Sequence, residues 1–554
     1  MKTKPRNMIM KFNIFSKTNT LLAELKSCRA PGKSYESCTV SRELLDRAGD
    51  LLIIKCAIPI IDIQGYWTPD LFRPVMQLCW RKGFSCAAHR NFPYVTFFNQ
   101  AQRNRAALGT GNLFDDSVFT LKMNQETGNY DVEIKVSVCP ETAAFDLFWD
   151  AADREWTQIL QDYRAFVRPD WRPDYPAGAW LPVYCTWYAV HAAVEKSWLE
   201  TQEDEAAAMG FGTFIVDDGW CFDDMKRVSP ETIGTWYENI GDWEVSARHL
   251  PDFRRHVERA RKLGLKYLLW VSPFMVGDKT RFVQEIDCEY LTELHEGYRV
   301  FDPADAATAR KSMDKMLAVV RENGLDGLKI DFVDAVPQSP DRPRGRTVYH
   351  YMKELLDTVK AENPEALIEF RQNYATPAML DLGTQFRAGD VPFDYVENIH
   401  RIAQIRVCLG DGVPVHADPV YWNPGDSDEN IARHMICSLA GVPMVSMDLA
   451  ALPENQKNIM KFWLNFYREH LELFKNGKWN IRYSADHLSF IEVAGAGQKI
   501  VFLCEAAAVP AKPENGIVLN LTHQPIPAAG GSKFDCRGAR ASGDFIPAAG
   551  YAVY

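Results

Sequence analysis

From about residue 181 to about 474 the chain repeats one pattern, a run of five to seven apolar residues followed by an amphipathic helical stretch. The apolar runs are PVYCTW (182–187), FGTFIVDD (211–218), LKYLLWVSP (265–273), GLKIDFVD (327–334), ALIEFRQ (366–372), TQFRAGD (384–390), VPVHADP (413–419) and PMVSMDL (443–449). Near-continuous apolar runs of this length suit strands covered on both faces. The cover comes from helices, of which EKSWLETQEDEAAAM, FRRHVERARKLG, ATARKSMDKMLAVVRENG, YHYMKELLDTVKAEN and YVENIHRIAQIRVCLG are the clearest. Such alternation builds a parallel sheet with helical crossovers. Eight strand–helix units over about 290 residues predict a (β/α)8 TIM barrel, ~250 residues before insertions. The competing arrangement is an open doubly wound sheet.

The flanks read differently. LLIIKCAIPIIDI (51–63), YVTFFNQ (94–100), SVFTLKMN (117–124) and YDVEIKVSV (130–138) are strand-like, and NQETGN between the last two is a hairpin loop. With few long helical patterns here, residues 1–175 are expected to form an N-terminal β-sandwich. The Pro-rich RPDWRPDYPAGAWLP (168–182) reads as a linker into the barrel, 176–475. HLSFIEVAG, KIVFLCEAA and GIVLNLT then predict a small C-terminal β-sandwich over 476–554.

Bulk properties exclude some functions. Seventy-three acidic against 62 basic residues give a net charge of −11, with no strongly basic run, which argues against a nucleic-acid partner. No stretch approaches the ~20 apolar residues of a membrane span, and MKTKPRNMIMKFNIFSKTNT lacks the apolar core of a secretory leader. Thirteen scattered cysteines without a CxxC pair read as free thiols in a reducing compartment, so a cytoplasmic protein is expected. Fifteen tryptophans suit sugar binding, because ring faces stack on sugar C–H faces, though large β-rich cores contain as many.

In a barrel of this kind the chemistry sits at the C-terminal ends of the strands. Those ends are unusually polar. They carry Trp187 on the first strand, Asp217, Asp218 and Trp220 on the second, and Trp270 on the third. The fourth carries Lys329, Asp331 and Asp334, the fifth Glu369, Arg371 and Asn373, the sixth Arg387 and Asp390. His416 and Asp418 follow on the seventh and Asp448 on the eighth. In GLKIDFVDA (327–335), Lys329 and Asp331 share one face of an otherwise apolar strand. Buried charges must be paired or working. Carboxylates recurring at one end of the strands fit a carboxylate pair for glycoside hydrolysis. A divalent-metal site is the competitor, since Asp217, Asp218 and Asp331 could supply oxygen ligands. Lys329 beside them argues against a metal, and no HExxH or P-loop is present.

Five segments in order carry a resemblance: GFGTFIVDDGW, GDWEVSARHLPDF, LGLKYLLWVSPFMV, GLKIDFVD and FRAGDVPFD. Together they resemble the retaining α-galactosidases of the melibiase type (glycoside hydrolase family 36). The resemblance implies Asp331 as nucleophile and Asp390 as general acid/base, with no cofactor and no metal. It implies that Asp217 and Asp218 hold the 4- and 6-hydroxyls and Lys329 the 3- and 4-hydroxyls. Arg387 would orient the nucleophile or a hydroxyl, and Trp270 would wall the pocket with Trp187 and Trp220 nearby. Lys329 is then expected to keep Asp331 ionised, and Asp390 to be raised by its neighbour's charge and by burial. His416 is expected to be a core histidine and Asp334 a cap.

The sequence also departs from that family. Many relatives have Cys-x-x-Gly-Gly on the fifth strand, facing the 2-hydroxyl side of the sugar; here Glu369, Arg371 and Asn373 stand in IEFRQNYATP. The family's Ser-Asp-Asn-Thr-Asp is Gly-Asp-Val-Pro-Phe-Asp here, which makes Asp394 a second candidate acid/base. The alternatives are a 2-acetamido or 2-amino galactoside as substrate, a transglycosylase, or a non-catalytic carbohydrate-binding protein. The expected partner is an oligosaccharide or other glycoside, and the family often forms homo-oligomers.

Overall fold

A computed structural model describes residues 9–224, 233–506 and 515–554. The first eight residues of the basic N-terminal stretch, and Ala507 at the end of KIVFLCEAA, lie outside the described residues. The eight apolar runs form one parallel sheet in chain order. Its strands are β1 (Val183–Cys185), β2 (Thr213–Val216), β3 (Lys266–Val271), β4 (Gly327–Ile330), β5 (Leu367–Arg371), β6 (Gln385–Arg387), β7 (Val415–His416) and β8 (Met444–Val445). Val183 pairs with Met444, and His416 bridges Val442, so the sheet closes on itself. The open doubly wound alternative is thereby excluded. The strands are shorter than their apolar runs because the polar residues at their C-terminal ends leave the ladder and turn over the barrel mouth. β4 approaches β5 so closely that a side chain at Gly327 would overlap Leu367 O.

Helices α1 (Lys196–Met209), α2 (Phe253–Lys262), α3 (Ala306–Asn323), α4 (Gly345–Glu362), α5 (Tyr395–Leu409), α6 (Asp428–Ser438) and α7 (Glu454–Glu469) surround the strands. The expectation of eight strand–helix units is corrected at one place. Among the described residues only a 3-10 turn, Gln372–Tyr374, stands between β5 and β6. The backbone here is engaged by the N-terminal unit instead. Asn91 N–H donates to Asn373 O at 3.2 Å, and the Thr376 hydroxyl donates to Ala88 O at 3.0 Å.

The N-terminal unit stacks a six-stranded on a five-stranded sheet, both antiparallel, as the strand patterns predict. The Asn124–Asn129 hairpin forms as expected. Helix Trp156–Val167 was not anticipated: Trp156, Ile159, Leu160 and Tyr163 recur at helical spacing and are buried. The segment 168–182 that follows is mostly irregular, with a 3-10 turn at Ala177–Trp180. From Lys478 a seven-stranded sheet and a two-stranded ribbon complete the chain. The fold is thus a TIM barrel between two sheet-rich units. All thirteen cysteines are free thiols, and among the described residues no helix is long and apolar enough to cross a membrane.

Candidate active site

The strand register fixes the depth of each side chain. Trp270, Lys329, Glu369 and Gln385 are neighbours across β3 to β6, and Arg371, Arg387 and His416 lie one layer nearer the mouth. Asp331 follows β4 directly and is 5% exposed. Its Oδ1 accepts the Phe332 N–H at 2.9 Å and Arg371 Nη1 at 3.3 Å. Its Oδ2 accepts the Trp270 indole N–H at 3.3 Å and lies 3.8 Å from Arg387 Nη2. Phe332 itself has φ +53°, a conformation that a bulky residue rarely takes and that clusters at functional sites.

Asp390, past the end of β6, is held by the same two guanidinium groups. Arg371 Nη2 donates to its Oδ2 at 2.9 Å and Arg387 Nη1 to its Oδ1 at 2.9 Å. Both arginines therefore bridge the two candidate catalytic carboxylates. Arg387 also donates to Asp418 Oδ1 at 2.6 Å and lies 3.4 Å from Glu369 Oε1. Asp418, which the sequence reading noted without assigning a role, is fully buried. It also accepts the Tyr188 hydroxyl at 2.9 Å and the Val391 N–H at 2.8 Å.

These contacts bear on two expectations about charge: Lys329 does lower Asp331, behind two arginines, whereas Asp390 is not raised. Lys329 Nζ does not bind Asp331; it is paired with Asp217 Oδ2. Burial pushes the Asp331 carboxyl up, but Arg371 and Arg387, ahead of Lys329, bring it below the usual carboxylate range. Asp390 was expected to be raised. Burial does push it up, yet Arg387, Arg371 and Lys329 together hold it well below the usual range, and 40% of its side-chain surface is open. The proton-rich carboxyls lie elsewhere. Burial, then the charge of Asp217, pushes Asp218 up to about 8. Burial pushes Asp418 up to about 7 against the pull of Arg387.

Asp217 is fully engaged, accepting Lys329, the Cys185 thiol at 3.1 Å and the Asp218 N–H at 3.0 Å. Asp218 is the opposite case. Both its Oδ atoms are buried without a well-aligned hydrogen bond among the described residues, with the Trp236 indole N–H and the Gly219 N–H directed at the carboxyl and favouring its charged form. Buried polar atoms without aligned hydrogen bonds at a barrel mouth are what an absent hydroxylic ligand would satisfy.

Several expected site residues hold other places. Trp220 is fully buried, donates to Trp270 O at 2.8 Å and stacks on Trp243, so it packs behind the wall rather than forming it. Trp187 is half-buried at the mouth, edge-on to Trp236 at 5.4 Å. Glu369 is 1% exposed, accepts Gln385 Nε2 at 3.0 Å on Oε2, and lies 3.4 Å from Arg387 Nε through Oε1. Asp394 caps α5 by accepting the Glu397 N–H at 2.8 Å, apart from the arginine pair that holds Asp390. Asp334 is no cap; it accepts Asn373 Nδ2 at 2.6 Å beside Arg371. His416 is a core histidine, facing Ala179 O at 2.8 Å and lowered by burial to about 4. Asp448 accepts Gln202 and Trp198 away from the cluster. Among the described residues no group of His, Cys, Asp or Glu is arranged to hold a metal ion.

Comparison with known proteins bears on the family and the fold. The family described as Melibiase matches residues 147–477. A probable α-galactosidase C of Aspergillus flavus is 24% identical over 202 residues, 34% of this chain and 26% of that protein. An α-galactosidase 2 of Pediococcus pentosaceus is 22% identical over 305 residues, 52% of this chain and 38% of that one. The matched part thus spans well under two thirds of these relatives. In fold the chain is similar to the α-galactosidase AgaA of Geobacillus stearothermophilus solved with raffinose. The TM-score is 0.65 at 16% identity, over 94% of this chain and 80% of that one. It is also similar to the Thermus thermophilus α-galactosidase solved with p-nitrophenyl α-D-galactopyranoside, at TM-score 0.59 and 17% identity, over 88% and 98% of the two chains. With the family matched over more than half of its length, and with the barrel and its ring of carboxylates in place, the chain belongs to the melibiase family of glycoside hydrolases.

Proposed function

We propose that the protein hydrolyses terminal α-galactosides by double displacement, with Asp331 as nucleophile and Asp390 as general acid/base. The observation that carries this reading is the bridging of both carboxylates by one guanidinium, Arg371, at 3.3 and 2.9 Å. That closeness suits the ~5–5.5 Å carboxyl spacing of retaining enzymes better than the ~6.5–9.5 Å that leaves room for water in inverting ones. Asp331 is kept ionised for attack by Arg371 and Arg387. The sugar C1 is then attacked by Asp331, the C1–O bond breaks, and Asp390 delivers its proton to the leaving oxygen. Asp390 later takes a proton from the water that releases the sugar. Entry of the substrate between the carboxylates loosens the Arg371–Asp390 pair, which raises Asp390 toward the range of an acid. Asp218 and the Lys329–Asp217 pair hold sugar hydroxyls, and Trp270 and Trp187 line the ring. No cofactor is required.

The test is turnover of an aryl α-D-galactoside beside an aryl α-N-acetylgalactosaminide, with Asp331→Ala as blank and the anomer of the first product read by NMR. Galactoside cleavage with α-galactose appearing first is expected. Preference for the acetamido sugar would instead make Arg371, on the strand that faces the 2-position in the family, a determinant of a different substrate. Absence of turnover above the blank would overturn the reading.

A further inference from the structure

The loop between β6 and α5 is held at both ends yet strained in the middle. Val391 N–H is fixed by Asp418, and Asp394 caps α5. Between them Asp394 N–H donates to Val391 O at 3.2 Å, which closes a four-residue turn with Pro392 second and Phe393 third. Phe393 has φ +65°. A turn with proline second and a positive φ third calls for glycine or asparagine at the third position. Phenylalanine there is costly, and core packing does not offset the cost, because the residue is 57% exposed. Strain that survives without a packing return points to function.

The ring is not randomly placed. It meets Tyr421 at 4.8 Å with an interplanar angle of 75°, so the two rings form a corner. Tyr421 in turn lies 6.2 Å from Tyr188, whose hydroxyl donates to Asp418. Asp418 shares Arg387 with Asp390. A row of aromatic rings therefore leads from the exposed lip to Asp418, which Arg387 links to the acid/base carboxylate. The departing group lies on the side of the carboxylate that protonates it. A corner of two rings there offers a face and a wall to the C–H surface of a pyranose.

We propose that Phe393 and Tyr421 form the leaving-group subsite and stack the sugar that departs from Asp390. The subsite rests on the glycosidase reading above, and the test separates the two. The quantity to measure is the ratio of kcat/KM for a galactosyl-α-1,6-glucose disaccharide to that for α-galactosyl fluoride, whose leaving group is too small to reach the rings. In Phe393→Gly this ratio is expected to fall about tenfold, which is ~1.4 kcal/mol of transition-state binding. Phe393→Trp is expected to keep it near the wild-type value. Glycine relieves the positive φ, so its thermal midpoint should be no lower than wild type, which guards against a collapsed loop. An unchanged ratio in Phe393→Gly would overturn the subsite alone. So would an unchanged ratio accompanied by a drop in oligomeric mass, which would assign the exposed ring to contact with a second copy. A wild type inert on both substrates would overturn the glycosidase reading and the subsite with it.

Discussion

At the scale of single residues, the site is governed by two guanidinium groups rather than by the lysine that stands out in the sequence. Lys329 and Asp331 share one strand face as expected, yet the ammonium bonds Asp217, 112 residues away just past the end of β2. Spacing along one strand cannot reveal a partner contributed by another. Arg371 is the larger influence on Asp331 and the second on Asp390 among the cations. Removing a cation raises a neighbouring carboxyl's pKa. With Asp331 as the proposed nucleophile, the acid limb of kcat/KM needs it ionised, so in Arg371→Gln that limb moves to higher pH. With Asp390 as the proposed acid/base, the basic limb needs it protonated, so it moves up as well. Both limbs are expected to shift upward by ~1 pH unit or more, with Arg371→Lys in between. A pH–rate profile on the aryl galactoside checks this; limbs that stay in place would remove Arg371 from control of the pair.

At the scale of elements, the segment Arg387–Leu409 shows how a strand end, a turn and a helix cap divide the work. Asp390 and Asp394 are four residues apart and chemically identical, so the sequence alone leaves both as candidates. The fold separates them: one lies against two arginines, the other accepts the Glu397 N–H at the start of α5. Losing an aspartate cap costs ~0.5–2 kcal/mol. Asp394→Ala should therefore lower the thermal midpoint while retaining turnover, and Asp394→Ser should recover the midpoint. Asp390→Ala should retain the midpoint and lose turnover of the disaccharide by ~10²-fold or more. The reverse pattern would exchange the two roles. The strands were legible because apolar runs of this length leave few other options. Helices α6 and α7 were less so. On α6, Arg433 and His434 are buried beside Met435 and Ile436, which blurs the apolar stripe that periodicity depends on. The turn after β5 was illegible for another reason: its backbone partners, Ala88 and Asn91, belong to the sandwich.

At the scale of the whole molecule, the sandwich supports the catalytic end of the barrel. Asp116 accepts the N–H groups of Ser339, Arg344 and Gly345 at 3.1, 3.0 and 2.7 Å, and so gathers the entry to α4. Arg346 pairs with Asp115 at 2.8 Å. His89 Nε2 faces Val336 O at 3.1 Å, just beyond the turn that follows Asp331. These contacts run from the sandwich to the segment between β4 and the first turn of α4, so the residues around Asp331 are braced from outside the barrel. An apolar layer also runs between the units. Trp67 and Tyr163 of the N-terminal unit, the layer between the barrel strands and their helices, and Phe502 and Tyr551 of the C-terminal sheet belong to one buried cluster, while the sandwich interior and the barrel interior form clusters of their own. A core shared in this way leaves no unit able to open without exposing its neighbours' apolar surface, and exposure costs ~25 cal/mol per Å². The chain is therefore expected to unfold in one calorimetric transition, despite its three sheet systems. Residues 176–475 expressed alone should fail to give a folded barrel, because the surfaces that receive Asp116, His89 and the C-terminal sheet would face water. Separate transitions, or a barrel fragment with native-like circular dichroism and a sharp melt, would show that the flanking units are appended to the barrel rather than built into it.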